Sequence, residues 1–402
     1  MECAHEHMPK LSVDQVDLHG KRVFLRADLN VPLTDGRVTD DTRIRAVLPT
    51  IQHCRKSAAS VVLASHLGRP KGKPDPRYSL APVARRLEEL LGEAVPLAPA
   101  CVGEVCENLA RALKPGDCLL LENLRFHPGE ETNDPEFAEA LARLADCYVN
   151  DAFSASHRAH ASIVAIASYL KPAVAGLLMQ RELAALERVM ARPDRPLVAI
   201  LGGAKVSDKL GLIQHLLGKV DGLLIGGAMA FTFLKALGHD PGRSLVEPDL
   251  LETARQILSR SRARGIQVAL PVDVVVASSP TAQGGVRTVN IREIPGTLMG
   301  LDIGPVTLAR FKEALHSART VVWNGPMGVF ENPAFATGTL DLARAVADSP
   351  AFTLVGGGDT VAAIQQIGVA GKIGYLSTAG GAFLEFLEGR ELPGVAALTE
   401  AP

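Results

Sequence analysis

Arginine, histidine, aspartate and asparagine are concentrated at a few places in the first part of the chain. Five arginines accompany the ends of short apolar segments or the loops after them: Arg26, Arg43, Arg69, Arg125 and Arg158. Beside them in the sequence are Asp28, Asn30, His66, His157 and His160. A single arginine is more often a solvated salt-bridge partner than a ligand contact. Because guanidinium groups pair bidentately with carboxylate and phosphate oxygens, and Asp and Asn bind hydroxyl groups, the set predicts a pocket for a small, multiply charged, hydroxylated acid.

A metal centre is the alternative interpretation of the three histidines. The sequence contains no H-E-x-x-H motif and no carboxylate at ligand spacing from them. Hydrogen bonding to phosphate or carboxylate is therefore the favoured interpretation.

In the second part of the chain, glycine follows the apolar segments instead. The segment ends are Gly202-Gly203-Ala204-Lys205, Gly226-Gly227-Ala228, Asn324-Gly325-Pro326 and Gly356-Gly357-Gly358-Asp359. Glycine lets the backbone approach phosphate closely, and free amides at a helix N-terminus favour anions. For Gly202 to Lys209, a glycine turn with surface lysines is an equally good interpretation. Neither a Walker A motif nor G-x-G-x-x-G occurs, and the absence of the latter counts against nicotinamide chemistry.

Asp359 at the start of a predicted helix has two interpretations. An aspartate in this place is commonly a helix cap. Three glycines in succession are harder to explain by capping, since they add an entropic cost without packing. A metal–nucleotide site accounts for both features, with amides at the terminal phosphates and Asp359 holding Mg²⁺, which uses few protein carboxylates. Ser377-Thr378-Ala379-Gly380-Gly381 is expected to supply further amides nearby.

These residues must be positioned by the elements that precede them, which alternate between short apolar runs and longer helical patterns. The runs include 23–25, 61–64, 119–121, 197–201, 223–225, 274–276, 321–323 and 353–355. They are nearly continuously apolar, as in strands buried on both faces of a parallel sheet. The alternation predicts a doubly wound α/β architecture. Leu183, Leu186 and Val189 recur at helical spacing, so that 179–190 is predicted as a helix connecting two domains, with hinge closure between them.

Composition excludes several classes of protein. The 402 residues suffice for two or three domains, and Lys plus Arg (42) nearly balance Asp plus Glu (44), which argues against a nucleic-acid-coating protein. No apolar run is long enough for a transmembrane helix, and the first ten residues lack the core of a signal peptide. The six cysteines form no C-x-x-C pair, which is typical of reduced thiols. A soluble cytoplasmic protein is expected.

Several segments resemble the signatures of phosphoglycerate kinases. They are 22–32 (RVFLRADLNVP), 65–70 (SHLGRP), 150–161 (NDAFSASHRAHA), 202–209, 322–331 (VWNGPMGVFE) and 356–360, within a resemblance from Leu11 to Pro393. The resemblance implies two doubly wound parallel-sheet domains joined by a hinge helix, with a ligand cleft between them. The implied parts are an N-terminal 3-phosphoglycerate domain (1–175), a linker helix (176–192), a C-terminal nucleotide domain (193–387) and a tail (388–402) that packs back on the first.

The resemblance also implies a reaction and its residues. ATP and 3-phosphoglycerate give ADP and 1,3-bisphosphoglycerate, reversibly and with Mg²⁺, in a monomeric enzyme that needs neither nucleic acid nor membrane. The implied substrate residues are Asp28, Asn30, Arg43, His66, Arg69, Arg125 and Arg158. The implied nucleotide residues are Lys205, Lys209, Gly300, Asn324, Pro326, Glu331, Gly357, Gly358, Asp359 and Thr360, with Asp359 also on the metal. The implied catalytic residues are Arg43, Lys205, Gly358 and Gly381.

The sequence departs from the family pattern in two places, and two alternative functions remain. Ala379 stands where many family members have the first of three glycines, which matters only if that position needs a positive φ. The N-terminal segment, Met1 to Lys10, is longer than expected for the family and carries Cys3, His5 and His7. A disordered tail is the favoured interpretation of this segment, and a metal site is the alternative. A nucleotide-regulated binding protein and an NAD-dependent oxidoreductase are the alternative functions. The direction of the reaction, glycolytic or carbon-fixing, is left open.

Overall fold

The computed structural model describes residues 9–402, which divide into two units. The first unit comprises residues up to Leu183 together with Glu391–Pro402, and the second comprises Ala184–Arg390. Cys3, His5 and His7, for which a tail is favoured over a metal site, lie outside the described residues. No helix in residues 9–402 combines the length and apolar character that crossing a bilayer requires.

A parallel sheet forms the centre of the first unit. Its elements are β1 (Arg22–Ala27), β2 (Leu33–Thr34), β3 (Arg37–Val38), α1 (Thr42–Lys56), β4 (Ser60–Ala64), α2 (Ala81–Leu91), α3 (Glu104–Ala112), β5 (Cys118–Leu120), α4 (Pro135–Ala142), β6 (Cys147–Asp151), α5 (Ile166–Tyr169) and β7 (Ala173–Ala175). The strand order is β5-β4-β1-β6-β7. In the register, Arg26 lies between Ala64 and Asn150. The loops after β1, β4 and β6 therefore leave the same edge of the sheet.

Helix α6 (Leu177–Met190) leads from the first unit into the second. It begins two residues before the predicted start, because Asp151 at the end of β6 accepts hydrogen bonds from the amides of Leu178 (2.9 Å) and Met179 (3.0 Å). A carboxylate at a helix N-terminus satisfies amides that have no partner within the helix.

The second unit is built in the same way on a six-stranded parallel sheet. Its elements are β8 (Leu197–Leu201), α7 (Leu210–Leu216), β9 (Gly222–Ile225), α8 (Ala230–Ala236), α9 (Leu251–Ala263), β10 (Gln267–Ala269), β11 (Asp273–Ala277), β12 (Arg287–Asn290), β13 (Met299–Ile303), α10 (Pro305–His316), β14 (Thr320–Asn324), α11 (Thr337–Ala347), β15 (Phe352–Gly356), α12 (Gly358–Gln366), β16 (Tyr375–Ser377) and α13 (Gly381–Leu387). The strand order is β10-β9-β8-β14-β15-β16. Two units with parallel central sheets confirm the predicted fold class.

One predicted parallel strand is antiparallel. The run 274–276 lies in β11, which pairs antiparallel with both β12 and β13. Val274 and Val276 pack on one side with Phe231, while Ala277 packs in a separate cluster with Phe335. The continuous apolar pattern thus reports burial on both faces of the strand and carries no information about its direction.

The C-terminal segment of the chain, with α14 (Pro393–Ala396), belongs to the first unit. Leu11 donates its amide hydrogen to the carbonyl of Thr399 (2.8 Å), and Thr399 donates to Ala173 at the start of β7 (2.8 Å). The Gly394 amide donates to the carbonyl of Ser156 (2.8 Å). Residues from both ends of the described chain therefore complete this edge of the first unit.

Candidate functional site

The Asp28 carboxylate follows β1 and is the centre of a polar cluster. Arg43, in the first turn of α1, places Nη1 2.5 Å from Asp28 Oδ2, and the Ser154 hydroxyl donates to the same oxygen. The Asn30 amide donates to Asp28 Oδ1 (3.0 Å). Burial alone would raise the pKa of Asp28, but the charge of Arg43 and the hydrogen bonds from Ser154 and Asn30 together lower it. Asp28 is therefore an anion that holds Arg43.

His66 is a neutral donor. Arg26 Nη2 lies 3.1 Å from His66 Nδ1, and a guanidinium group has hydrogens to donate and no acceptor. Nδ1 must then accept, which places the ring proton on Nε2. Burial, followed by the charge of Arg26, lowers the pKa of His66 well below 6.5. Because His66 is neutral, Arg43 is the cation to which we attribute the ionised state of Asp28.

Arg26 is held in turn by a buried network that the sequence did not reveal. Its Nε donates to Ser162 Oγ (2.9 Å), and the Ser162 hydroxyl donates to Glu130 Oε1 (2.6 Å). The Ser162 amide donates to the other Glu130 oxygen (3.0 Å). Arg26 is 1% exposed and Glu130 is fully buried. A buried cation is tolerable when a carboxylate compensates it, so this network fixes the orientation of Arg26.

Gly68, in the loop after β4, is held by two of the predicted substrate residues. Asn30 Oδ1 accepts from the Gly68 amide (2.9 Å), and Arg125 Nη1 donates to the Gly68 carbonyl (2.8 Å). Arg69 is the next residue, and its exposed guanidinium has no hydrogen bond or ion pair within residues 9–402. The loop thus presents Arg69 as an uncompensated cation.

Positive charge converges on the two histidines of this edge. His160 is nearly buried, and burial, followed by the charges of Arg26, Arg125 and Arg158, lowers its pKa to about 3. Arg125 Nε lies 3.2 Å from a Glu131 oxygen without hydrogen-bond alignment, and this buried N–H has no acceptor among the described residues. An unsatisfied buried donor amid several cations is an environment suited to binding an anion.

The structure therefore brings the predicted substrate residues to one edge of the first sheet. Six of the seven either form hydrogen bonds with one another or their neighbours, or are close enough for their charges to shift the pKa of the same groups. The seventh, Arg69, follows Gly68, which Asn30 and Arg125 bind. Sequence reasoning missed Ser154, Glu130 and Ser162 as supporting residues. Ser154 lies inside the quoted segment 150–161, so a signal for it was present. Glu130 follows no strand, and no local pattern marks it.

In the second unit, several strand-end glycines allow one loop to touch another. A methyl group on Gly325 would collide with the backbone of Gly202, and one on Gly227 would lie 2.5 Å from the Gly203 amide nitrogen. Gly202 donates to the Asn324 carbonyl (3.0 Å), which ties two of these loops together. At Gly202, Gly227 and Gly325 the structural reason for glycine is therefore contact between loops. Gly203 has open space around it, and close approach of phosphate stays a prediction there.

The start of α12 excludes the cap interpretation of Asp359. The N-cap residue is Gly357, with φ +97°, and the helix begins at Gly358, which has open space where a side chain would be. Asp359 is exposed in the first turn, and its carboxylate makes no hydrogen bond or ion pair within residues 9–402. A free carboxylate beside the free amides of a helix N-terminus is available for a metal ion on a bound anion.

The side chains nearest these amides are cross-linked. Lys209 donates to Asn324 Oδ1, and Asn324 Nδ2 donates to the Gly356 carbonyl (2.7 Å). Thr360 Oγ1 accepts from the Gly325 amide (2.8 Å). Burial lowers the pKa of Lys209, while the nearby Asp359 opposes that change. The structure thus brings Lys209, Asn324, Thr360 and Asp359 together.

Lys205 follows the first of these loops. Its side chain is exposed and has no ion pair among the described residues. The loop opens into a short 3-10 helix (Ser207–Lys209), which continues directly into α7.

The remaining predicted residues lie farther along the second unit. Gly300 is in β13 of the antiparallel sheet, where the Phe231 ring fills the place of a side chain. Val329 donates to the carbonyl of Leu301 (2.9 Å), which places β13 beside the loop that carries Pro326 and the exposed Glu331.

Ala379 and Gly381 lie at the start of α13. Gly381 begins that helix and is exposed. A positive φ occurs at Gly380 (+57°) and not at Ala379. The Ala379 departure is therefore compatible with the backbone, and the amide at this position is retained.

Known proteins resemble this chain in sequence and in fold over nearly its full length. The family model for phosphoglycerate kinase matches residues 13–390. A phosphoglycerate kinase of Moorella thermoacetica is 57% identical over 98% of this chain and 100% of the relative. Solved phosphoglycerate kinases from Coxiella burnetii (TM-score 0.90, 45% identity, 97% of this chain and 98% of that one) and Pyrococcus horikoshii (0.83, 37%, 96% and 98%) are similar in fold. The chain belongs to the phosphoglycerate kinase family, whose members transfer a phosphoryl group between ATP and 3-phosphoglycerate.

Proposed function

We propose that side chains of the first unit bind 3-phosphoglycerate, while backbone amides and lysines of the second bind the nucleotide. The observation that carries the first half is the cluster of cations around His66 and His160, in which the buried Nε hydrogen of Arg125 has no acceptor within residues 9–402. A bound phosphate or carboxylate would accept that hydrogen and compensate the positive charge.

Within this site the residues have distinct tasks. Arg69, Arg125 and Arg158 neutralise the charges of the acid. His66 donates its Nε2 hydrogen to an oxygen of the acid without adding charge, because Arg26 keeps Nδ1 occupied. Asp28, as an ionised carboxylate, accepts from the hydroxyl group, and Asn30 accepts from or donates to it. We place them here because each lies at the same edge of the sheet.

The second half of the proposal rests on the start of α12. The amides of Gly357, Gly358 and Asp359 donate hydrogen bonds to the terminal phosphates, and Lys209 adds a positive point charge. Gly300, Asn324, Pro326, Glu331 and Thr360 are proposed as further nucleotide contacts. Support for Asn324 and Thr360 comes from their hydrogen bonds to the loops around α12.

We propose Asp359 as the single protein carboxylate for Mg²⁺. Its exposed carboxylate lacks any other partner, and no cluster of three metal-ligating side chains occurs in residues 9–402. That donor set fits Mg²⁺, which keeps waters and phosphate oxygens as most of its ligands. When bound, Mg²⁺ neutralises charge on the phosphates of the nucleotide.

Phosphoryl transfer asks for alignment and positive charge more than for covalent chemistry from the protein. We propose that two cations stabilise the phosphoryl group during transfer: Arg43, which Asp28 holds, and Lys205, which is exposed and has no ion pair in the described part of the chain. The amides of Gly358 and Gly381 are proposed to donate to its oxygens. A protein that only binds nucleotide has no use for charges directed at a transferring group.

A cytoplasmic monomer is the proposed form. The described cysteines, Cys54, Cys101, Cys106, Cys118 and Cys147, are buried and unpaired. Charges are balanced, with 42 basic and 44 acidic side chains, so neither nucleic acid nor membrane is proposed as a partner. Sedimentation at several concentrations tests the oligomeric state.

A coupled assay tests the activity. Purified protein with MgATP and 3-phosphoglycerate should form ADP, and omission of 3-phosphoglycerate or addition of a chelator in excess over Mg²⁺ should abolish it. Binding of ATP without turnover would favour the nucleotide-regulated binding protein. An absorbance change with NAD and no ATP would favour the oxidoreductase.

A further inference from the structure

Glu247 contacts the loop that carries Lys205 although it is distant in sequence. Its Oε2 accepts from the amides of Val206 (2.6 Å) and Ser207 (3.2 Å), and its Oε1 accepts from the Ser207 hydroxyl (2.5 Å). The carboxylate therefore uses both oxygens on two consecutive residues directly after Lys205.

Glu247 is itself anchored. Its amide donates to Thr232 Oγ1 (3.1 Å) in α8, and Thr232 is 1% exposed. Pro248 follows it and starts a 3-10 helix (Pro248–Leu250), which restricts the backbone on the other side. The carboxylate is thus presented from a fixed support.

The Lys205 loop is fastened at both ends and free in the middle. On one side, Gly203 donates to the Pro326 carbonyl (3.0 Å). On the other side, the Val206 amide is held by Glu247 and the Val206 side chain is fully buried. The two residues between them, Ala204 and Lys205, are exposed. The direction of the Lys205 side chain therefore depends on where Gly203 and Val206 are held.

A carboxylate at this place has an electrostatic cost. Negative charge beside a loop that binds anions weakens the binding of a phosphate. Its occupation of the Val206 and Ser207 amides also removes them as phosphate donors. The proposed anion donors at this edge are therefore the amides at the starts of α12 and α13 and the lysines.

We propose that Glu247 is a positioning residue that holds the Lys205 loop so that the Lys205 ammonium reaches the transferring phosphoryl group. This inference rests on the proposed role of Lys205. Glu247 touches no reacting atom and acts only through the loop.

The experiment is a double-mutant cycle on kcat with Glu247→Ala and Lys205→Ala. Glu247→Ala should lower kcat by roughly 10- to 100-fold, since small misplacements of a catalytic group cost up to about 10²-fold. In the Lys205→Ala background, Glu247→Ala should have no further effect, because the residue through which it acts is gone. The KM for 3-phosphoglycerate should not change in either background.

Two further variants separate positioning from general destabilisation. Glu247→Gln should recover most of kcat, because its carbonyl oxygen can accept from the two amides and its NH₂ group can donate to Ser207 Oγ. Ser207→Ala removes only the hydroxyl contact, and should give a smaller loss in the same direction even if Glu247→Ala folds poorly.

The matched control is Asp221→Ala. Asp221 also accepts from a backbone amide, that of Leu197 (2.7 Å), and from Arg195 Nη1 (2.6 Å), but at the opposite edge of the sheet. It should keep the wild-type kcat whatever its melting temperature.

Three results would overturn the inference: additive losses in the cycle, an equal loss of kcat in Asp221→Ala, or an unchanged kcat in Glu247→Ala. Failure of the proposed function is distinct, since it appears as no 3-phosphoglycerate-dependent turnover in the unmodified protein.

Discussion

The anion sites proposed for the two units differ in construction, although both lie at the carboxyl edges of similar parallel sheets. The first is built from side chains, with arginines, a neutral histidine and an ionised aspartate around one edge. The second is built largely from backbone, with amides at the start of α12 and few side chains. A side-chain site depends on groups that a substitution can remove. A backbone site depends on space that a substitution can fill.

The difference suits the two proposed ligands. A small hydroxy acid offers few atoms, so that each must be recognised by a directed group such as a guanidinium fork. A nucleotide offers a chain of phosphates that amides can hold at close range. The variants below test this contrast, in order of decreasing expected effect.

The largest effect is expected for Arg43→Ala. Removal of a guanidinium that stabilises the transferring group should lower kcat by roughly 10³-fold or more. Arg43→Lys should recover only part, since a point charge cannot reproduce the planar fork. Arg158→Ala is the comparison and should mainly raise the KM for 3-phosphoglycerate. Steady-state kinetics on the three variants decide, and a near-normal kcat in Arg43→Ala with only weaker binding would contradict the role.

In the second site, Asp359→Ala should lower kcat by about 10²-fold, as for the loss of one preorganised electrostatic group. The carboxylate has no hydrogen bond with any of the described residues, so the melting temperature should remain close to that of the unmodified protein. Raised Mg²⁺ should restore part of the activity. A variant that melts earlier and keeps its activity would instead favour a structural role.

Gly325→Ala tests the backbone construction directly. A methyl group there would meet the Gly202 backbone, and φ is +98°. We expect the free energy of unfolding to fall by about 1–3 kcal/mol, together with a loss of activity as the two loops separate. Gly371→Ala is the control, because it has open space and no positive φ. Equal denaturation midpoints for the two variants would contradict close contact between the loops.

The side-chain site should also titrate. Because the pKa of His160 is lowered from 6.5 to about 3, the unfolded chain binds the proton first as the pH falls. The free energy of unfolding should therefore decrease between about pH 6.5 and 3, with this residue contributing up to about 1.4 kcal/mol per pH unit. Denaturant titrations of His160→Gln should show a shallower decrease. The exposed His19→Gln should follow the unmodified protein, and a parallel curve for His160→Gln would contradict the assignment.

The smallest effect is expected for Ala379→Gly. Ala379 has no positive φ, so glycine gains nothing in the folded state and adds freedom to the unfolded chain. Stability should fall by about 0.5–1 kcal/mol with kcat unchanged, since the amide is retained. An increase in kcat would indicate that the side chain obstructs the site.

How much of this was visible in the sequence differs between the sites. Arg26, Asp28 and Asn30 lie at or just after the end of an apolar run, and parallel strands bring such ends to one edge, so the convergence of these residues was predictable. The glycine loops were located correctly. However, Gly202 and Gly325 are glycines because their two loops are in contact, and the sequence does not show that these loops are neighbours.

Long-range supports were not predictable. Glu130 and Glu247 lie in loops without periodicity, and each is recruited by donors that the fold brings near. Strand direction in β11 was misjudged, because burial on both faces looks the same in parallel and antiparallel sheets.

The return of the C-terminal segment has a consequence for synthesis on the ribosome. Chains emerge from the N-terminus, and domains usually fold as they appear. Here the carbonyl of Thr399, which accepts from Leu11, emerges only after the whole second unit. The first unit to leave the ribosome must therefore wait for Glu391–Pro402 before that edge of its sheet is finished. Translation speed through the second unit thus sets how long the nascent first unit remains incomplete.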